Sequence, residues 1–146
     1  MTDPRMYPER PYLAVSAAII RDGRVLVARR AKGASTGLYT LPGGVVEAGE
    51  TLHQAIVREI AEETGIAIEP VALAGHREFM TRDETGRVSR HFVILCFAAR
   101  WLAGEGTPQI EELSELHWLR PSEIANLKTT EGLADIIAAA FERMEG

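Results

Sequence analysis

The sequence predicts an α+β domain in which helices pack against a mixed sheet, and three observations carry that prediction. Short runs rich in Val, Ile, Leu and Ala occur on both sides of the chain's middle. A helix with both ends marked lies between them, and a second apolar-striped helix closes the chain. The order strands, helix, strands, helix is that of a layered α+β arrangement.

After a Pro- and Arg-rich tail over residues 1–11, residues 12–20 and 24–30 read as two antiparallel strands, because Asp22-Gly23 between them is a hairpin signal. Residues 31–37 are small, polar and glycine-bearing, a loop placed to border a ligand, and residues 38–41 read as a short strand. Residues 41–50, LPGGVVEAGE, read as a glycine-rich loop whose missing side chains let backbone carbonyls approach a ligand. Thr51 followed three residues later by Gln54 forms a capping box, and Gly65 stands where a left-handed residue ends a helix, so a helix is predicted over Leu52–Thr64. Its apolar positions Leu52, Ala55, Ile56 and Ile60 make an inward face and leave the glutamates on an open one.

Residues 71–80 and 91–101 flank the polar segment 81–87 and are expected to form a second hairpin. Residues 116–119 read as a last strand, and Pro121-Ser122-Glu123-Ile124 as a short helix with proline in its first turn. Leu133, Ile136, Ile137, Ala140, Phe141 and Met144 recur at helical spacing, so the terminal helix packs one face onto the domain. With no internal repeat or low-complexity linker, residues 12–146 are expected to form a single domain.

At 146 residues the chain can bury a core without disulfides or structural zinc, and 46% hydrophobic with 25% charged residues excludes disordered and fibrous classes. A net charge of −5 supplies no basic footprint for nucleic acid, so none is expected as a partner. The lone cysteine, Cys96, sits in an apolar run and reads as a packing thiol. No apolar run reaches the roughly 18 residues of a membrane span, and the first residues lack the apolar core of a signal peptide. The expectation is a cytoplasmic protein without a membrane partner.

The most specific feature is a 23-residue pattern running from Gly44 through Glu50 to Arg58-Glu59-Ile60-Ala61-Glu62-Glu63-Thr64-Gly65-Ile66. Glu59, Glu62 and Glu63, at i, i+3 and i+4, fall on one helical stripe. Like charges so spaced cost a helix a few tenths of a kcal/mol per pair, roughly, and a hard divalent cation compensates them well. Arg58 has the planar fork that can hold Glu50 or neighbouring carboxylates bidentately, which makes it the organiser of the cluster. A solvated acidic face explains Glu62-Glu63 alone, but not the coupled glycines, Glu50 and Arg58.

The pattern, G-x5-E-x7-R-E-U-x-E-E-x-G-U with U aliphatic, resembles that of the Nudix hydrolases, and no position is missing. The resemblance implies an α/β/α sandwich with a mixed β-sheet between helices. It also implies metal-dependent hydrolysis of a nucleoside diphosphate linked to another moiety. In that family the residues matching Glu59, Glu62 and Glu63 ligate the metal, Mg²⁺ or Mn²⁺, and the one matching Glu59 often acts as base or orients it. A backbone carbonyl of the glycine-rich loop, Gly44 or its neighbour Gly43, is a further candidate ligand, and the catalytic candidates are Glu59, Glu62, Arg58 and Glu50. Some members take their base from a downstream loop, where this chain offers Glu105, Glu111 and Glu112. For substrate binding the candidates are Arg29 and Arg30, of which strand alternation lets one face inward, and Tyr39 as a stacking ring. Phe79 and Trp101 are weaker stacking candidates, and His76 and His91 read as surface histidines.

Subfamilies specific for ADP-ribose often carry a proline about fifteen residues past the box, and those for dinucleoside polyphosphates a tyrosine slightly further on. Here the region reads Met80-Thr81-Arg82-Asp83, with neither. This departure leaves ADP-ribose-like and NDP-sugar substrates and nucleoside triphosphates all open, and the expected partner is a small nucleotide-derived diphosphate of the general kind, ADP-ribose, an NDP-sugar or a related compound. A MutT-type nucleoside triphosphate hydrolase and a non-catalytic nucleotide-sensing module are the alternatives. Many relatives are dimers, which leaves a homodimer open.

Overall fold

The computed structural model describes residues 4–33 and 35–145. The first three residues of the expected tail, Ala34 of the expected loop and the terminal Gly146 lie outside the described residues. The strands are β1 Tyr12–Arg21, β2 Arg24–Arg30, β3 Tyr39–Thr40, β4 Gly43–Val45, β5 Ala67–Arg82, β6 Val88–Ala103 and β7 Leu113–Leu119. The helices are α1 Leu52–Thr64, α2 Pro121–Ile124 and α3 Leu133–Glu145.

The strands form one sheet ordered β3-β2-β1-β6-β5, with β4 also on β1 and β7 also on β2. β1 runs parallel to β6 from Tyr12↔Phe92 to Ile20↔Arg100, and the other pairings are antiparallel, so the sheet is mixed. Successive side chains on β1 point to opposite faces, and both faces are covered. Val15, Ala17 and Ile19 join Ala55, Ile56 and Ile60 of α1 in one core. Ala18, with Val25, Val27, Cys96 and Ala98, joins Leu133, Ile136, Ile137 and Ala140 of α3 in the other. The result is an α/β/α sandwich, and burial on both faces is why β1 is nearly all apolar from Leu13 to Ile20, with Ser16 the exception, rather than alternating. Cys96 is fully buried as a packing thiol.

Helix α1 has the bounds that its caps predict. Thr51 Oγ1 accepts from the Gln54 amide at 3.1 Å, Gln54 Oε1 accepts from the Thr51 amide at 2.9 Å, and Gly65 adopts φ 76°. The last carbonyls of the helix, orphaned by geometry, take partners from a distant loop. Thr107 N donates to Thr64 O at 3.1 Å and Gln109 N to Glu63 O at 2.8 Å. Buried Thr64 donates its hydroxyl to Ile60 O and accepts from Ile66 N, joining the helix end to the start of β5.

Three boundaries differ from expectation. The glycine-rich segment is not all loop, because Gly43 to Val45 pair with β1 as Ser16↔Gly43, Val15↔Gly44 and Ala14↔Val45. β5 and β6 run well beyond residues 71–80 and 91–101. β5 is an edge strand, and register shifts around Pro70 and between Leu73 and Gly75 absorb residues that would break a central strand. β7 begins at Leu113, three residues early, where it extends the pairing with Arg30.

Gly43 is required sterically rather than for its dihedral freedom. A Cβ there would overlap the Val15 carbonyl and crowd Ser16 Cα, and both belong to the strand that carries the sheet. Gly43→Ala is expected to destabilise the protein by about 1–3 kcal/mol, the range for overpacking. An unchanged thermal midpoint in that variant would show that β4 is free to move away from β1.

Candidate functional site

The acidic stripe of α1 lies beside β4, and Arg58 ties the two together. Its Nε and Nη2 hold Glu50 Oε2 and Oε1 at 2.6 and 2.7 Å, a side-on bidentate pair. Nη1 donates to Glu59 Oε1 at 3.0 Å and to Glu62 Oε2 at 3.2 Å, and Nη2 also reaches the Val45 carbonyl at 3.2 Å. One guanidinium thus links the loop before the helix, the end of β4 and two carboxylates of the stripe. Glu50 also accepts from the Glu47 amide at 2.9 Å, and with Arg58 this holds its carboxyl far below the usual range, at about 2.

The three stripe glutamates differ in environment, which corrects the expectation of a uniformly open acidic face. The Glu62 side chain is 58% exposed, that of Glu59 only 14%, and Glu63 is buried. The helix turns Glu63 toward the sheet, where Glu63 Oε2 accepts from the Gly43 amide at 3.1 Å. Burial pushes the Glu63 carboxyl up to about 8; the Gly43 bond and the Arg30 charge oppose the shift, and the Glu59 and Glu112 charges add to it. Burial likewise raises Glu59, against the pull of Arg58. A Cβ on Gly44 would overlap the Glu59 carboxyl, so glycine alone lets β4 lie directly over it.

These donors suit a hard divalent cation in kind. They are all oxygen, they are crowded, and Glu63 is a buried acid that a single backbone bond and a neighbouring arginine compensate only in part. As they stand, no three His, Cys, Asp or Glu side chains among the described residues converge on a common point. Arg58 Nη1 lies between Glu59 and Glu62, and Glu63 is turned toward Gly43.

The remaining candidates separate clearly. Arg29 is exposed and paired with Glu115 at 2.9 Å, whereas the charge of Arg30 acts on Glu63, so Arg30 is the arginine nearer the cluster. Tyr39 is a strand residue, opposite Arg29, with its ring 6.1 Å from His117 and packed on the α3-side core. Glu105 pairs with Arg21, and Glu111 with Lys32. Glu112 is the downstream glutamate whose charge reaches Glu63, because the loop carrying it is hydrogen-bonded to the end of α1 through Thr107 and Gln109. Trp101 is engaged by Arg21, whose guanidinium lies 3.8 Å from its ring centroid, and Phe79 packs near Phe92. His76 and His91 lie on β5 and β6 but pair with Leu95 and Met80 rather than with each other. The Gly43 amide and the Val45 carbonyl carry no side-chain signature, which is why only the structure reveals their part.

A sheet held between helices, with an arginine-centred acidic stripe against a glycine-rich strand, defines a class of small α/β/α domains. The family model described as the NUDIX domain matches residues 10–140, and the chain belongs to that family. It is 36% identical over 102 residues to a protein of Methanocaldococcus jannaschii named ADP-ribose pyrophosphatase, covering 69% of this chain and 60% of that one. It is 31% identical over 121 residues to the NAD-capped RNA hydrolase NudC of Photobacterium profundum, covering 83% of this chain and 40% of that one. Among solved structures, the NUDIX domain of Shewanella oneidensis NrtR, complexed with ADP ribose, superposes with a TM-score of 0.72 at 25% identity. That match covers 98% of this chain and 94% of the NrtR domain. The chain thus spans less than two thirds of the length of the two sequence relatives.

Because the pair with Arg58 lowers Glu50 from 4.5 to about 2, ionised Glu50 contributes stability that is full above its unfolded value and lost as pH falls toward the folded one. The difference in thermal midpoint between wild type and Glu50→Gln is expected to hold from neutral pH down to about 4.5 and to shrink below it. A difference that persists undiminished at pH near 2 would show that the charge pair is not its source.

Proposed function

We propose that the protein is a Nudix pyrophosphohydrolase that cleaves a nucleoside diphosphate linked to another moiety at the diphosphate, with ADP-ribose as the leading substrate. The observation that carries this reading is the Arg58-centred cluster, in which every charged position of the family pattern takes part or lies adjacent. The names of the archaeal relative and of the ADP-ribose complex support the choice of substrate.

In this proposal Glu59, Glu62, Glu63 and the Gly44 carbonyl hold Mg²⁺ or Mn²⁺. The cation supplies neutralisation of the phosphate charge and activation of the attacking water. Glu59 would accept the proton of that water. Arg58 keeps Glu59 and Glu62 oriented and, through Glu50, fixes the loop that leads into the helix. In this reading Arg30 binds the substrate phosphates and Glu112 is the alternative base, since the charges of both act on Glu63. Residues 12–146 act as one catalytic domain.

Turnover is tested by phosphate-coupled assay with Mg²⁺ against ADP-ribose, NDP-sugars, dinucleoside polyphosphates, NADH and nucleoside triphosphates. Glu62→Gln is expected to cut the rate by several orders of magnitude with little change in thermal midpoint, since Glu62 is exposed and an amide is a poorer ligand for a hard cation. Near-wild-type turnover in that variant would defeat the metal role. Silence across the whole panel from a folded protein that binds ADP-ribose would favour the sensing module.

A further inference from the structure

We propose that residues 4–11 form one wall of the substrate site, and that the open cleft they form with β1 and β4 seats the nucleobase of the nucleotide. The proposal rests on the hydrolase reading for its orientation, since the diphosphate must then reach the Arg58 cluster.

The segment before β1 is anchored rather than trailing. Tyr7 N donates to Ser89 O at 2.8 Å, the Tyr7 hydroxyl donates to Asp83 at 3.0 Å, and the Arg87 guanidinium lies 4.2 Å from the Tyr7 ring centroid. Tyr7 has φ 55°, a conformation that a bulky residue keeps only where its surroundings impose it. Bent back in this way, the segment borders an open cleft of about 490 Å³ against the start of β1 and the end of β4, within the size range of small-molecule sites.

Its lining combines apolar and polar surface in similar measure. Met6, Tyr7, Pro8, Tyr12, Leu13 and Val46 present apolar and aromatic surface, and Glu9 and Arg10 offer hydrogen-bonding groups. The lining is thus mixed, and a nucleobase, with apolar faces and a polar edge, suits this combination. The cleft also adjoins the cluster. Val45 lines it, and the Val45 carbonyl accepts from Arg58 Nη2 at 3.2 Å. Arg5, on the same segment, lies close enough for its charge to act on Glu59. A smaller cavity of about 250 Å³ lies between Arg29, Arg30, Thr36 and Ser114, where Arg29 is already paired with Glu115.

The test is a titration of the full chain with AMP, followed by amide nitrogen–proton NMR, together with the same titration of Leu13→Trp, which fills the cleft from β1. Perturbations at Met6, Tyr7, Tyr12, Leu13, Val45 and Val46 are expected, with affinity for AMP falling about tenfold or more in the variant. Perturbations confined to the surroundings of Arg29, Tyr39 and Ser114, or no binding at all, would overturn the proposal. The wild-type map alone decides the matter if the variant does not fold. AMP bound at this cleft by a protein that hydrolyses nothing would sink the hydrolase reading and leave the nucleobase site standing; hydrolysis with AMP bound elsewhere would do the reverse.

Discussion

The Arg58 guanidinium is the constraint on which the site's arrangement depends. A stripe of three carboxylates on a thirteen-residue helix is self-repelling, and a buried member of it costs more. The fork meets this by holding Glu50 bidentately and touching Glu59, Glu62 and the Val45 carbonyl with the donors that remain. Because Glu50 precedes the helix and Val45 ends β4, the same group that offsets the repulsion also fixes the angle between loop, strand and helix. A lysine in its place would bring the charge without the planar geometry.

Glycines 43 and 44 complement this constraint from the strand side. The first lets β4 lie against β1, and the second lets it lie over Glu59. Both are matters of close approach, so neither would be rescued by residues that merely tolerate unusual dihedrals. The Gly43 amide then becomes the hydrogen-bond partner of the buried Glu63. Sheet pairing and carboxylate placement are thus one packing problem, solved by the absence of two side chains.

The parts of the molecule that were legible in sequence are those governed by neighbours along the chain. The bounds of α1 follow from Thr51, Gln54 and Gly65, the first hairpin from Asp22-Gly23, and the inward stripe of α3 from its spacing. The acidic pattern likewise carries its own spacing, which is why the family is evident from residues 44–66. What the sequence could not show depends on distant chain. Glu63 is buried because α1 sits on a sheet whose strands come from both sides of it, β4 is a strand because β1 is there to pair with it, and β5 tolerates Pro70 because it lies at an edge. The choice between Arg29 and Arg30 turned on β7, which captures Arg29 through Glu115.

The parallel pairing of β1 with β6 has a consequence for how the molecule is made. Tyr12 must find Phe92, and no local turn brings them together. As the chain leaves the ribosome, β1, the first hairpin and α1 are all complete before the strand that locks the sheet's centre exists. Such remote pairings demand loop closure before any reward, and they slow folding relative to helical domains of the same size. During that interval the apolar strand that later lies buried between two layers stands exposed, a natural client for holding chaperones and a natural seed for aggregation.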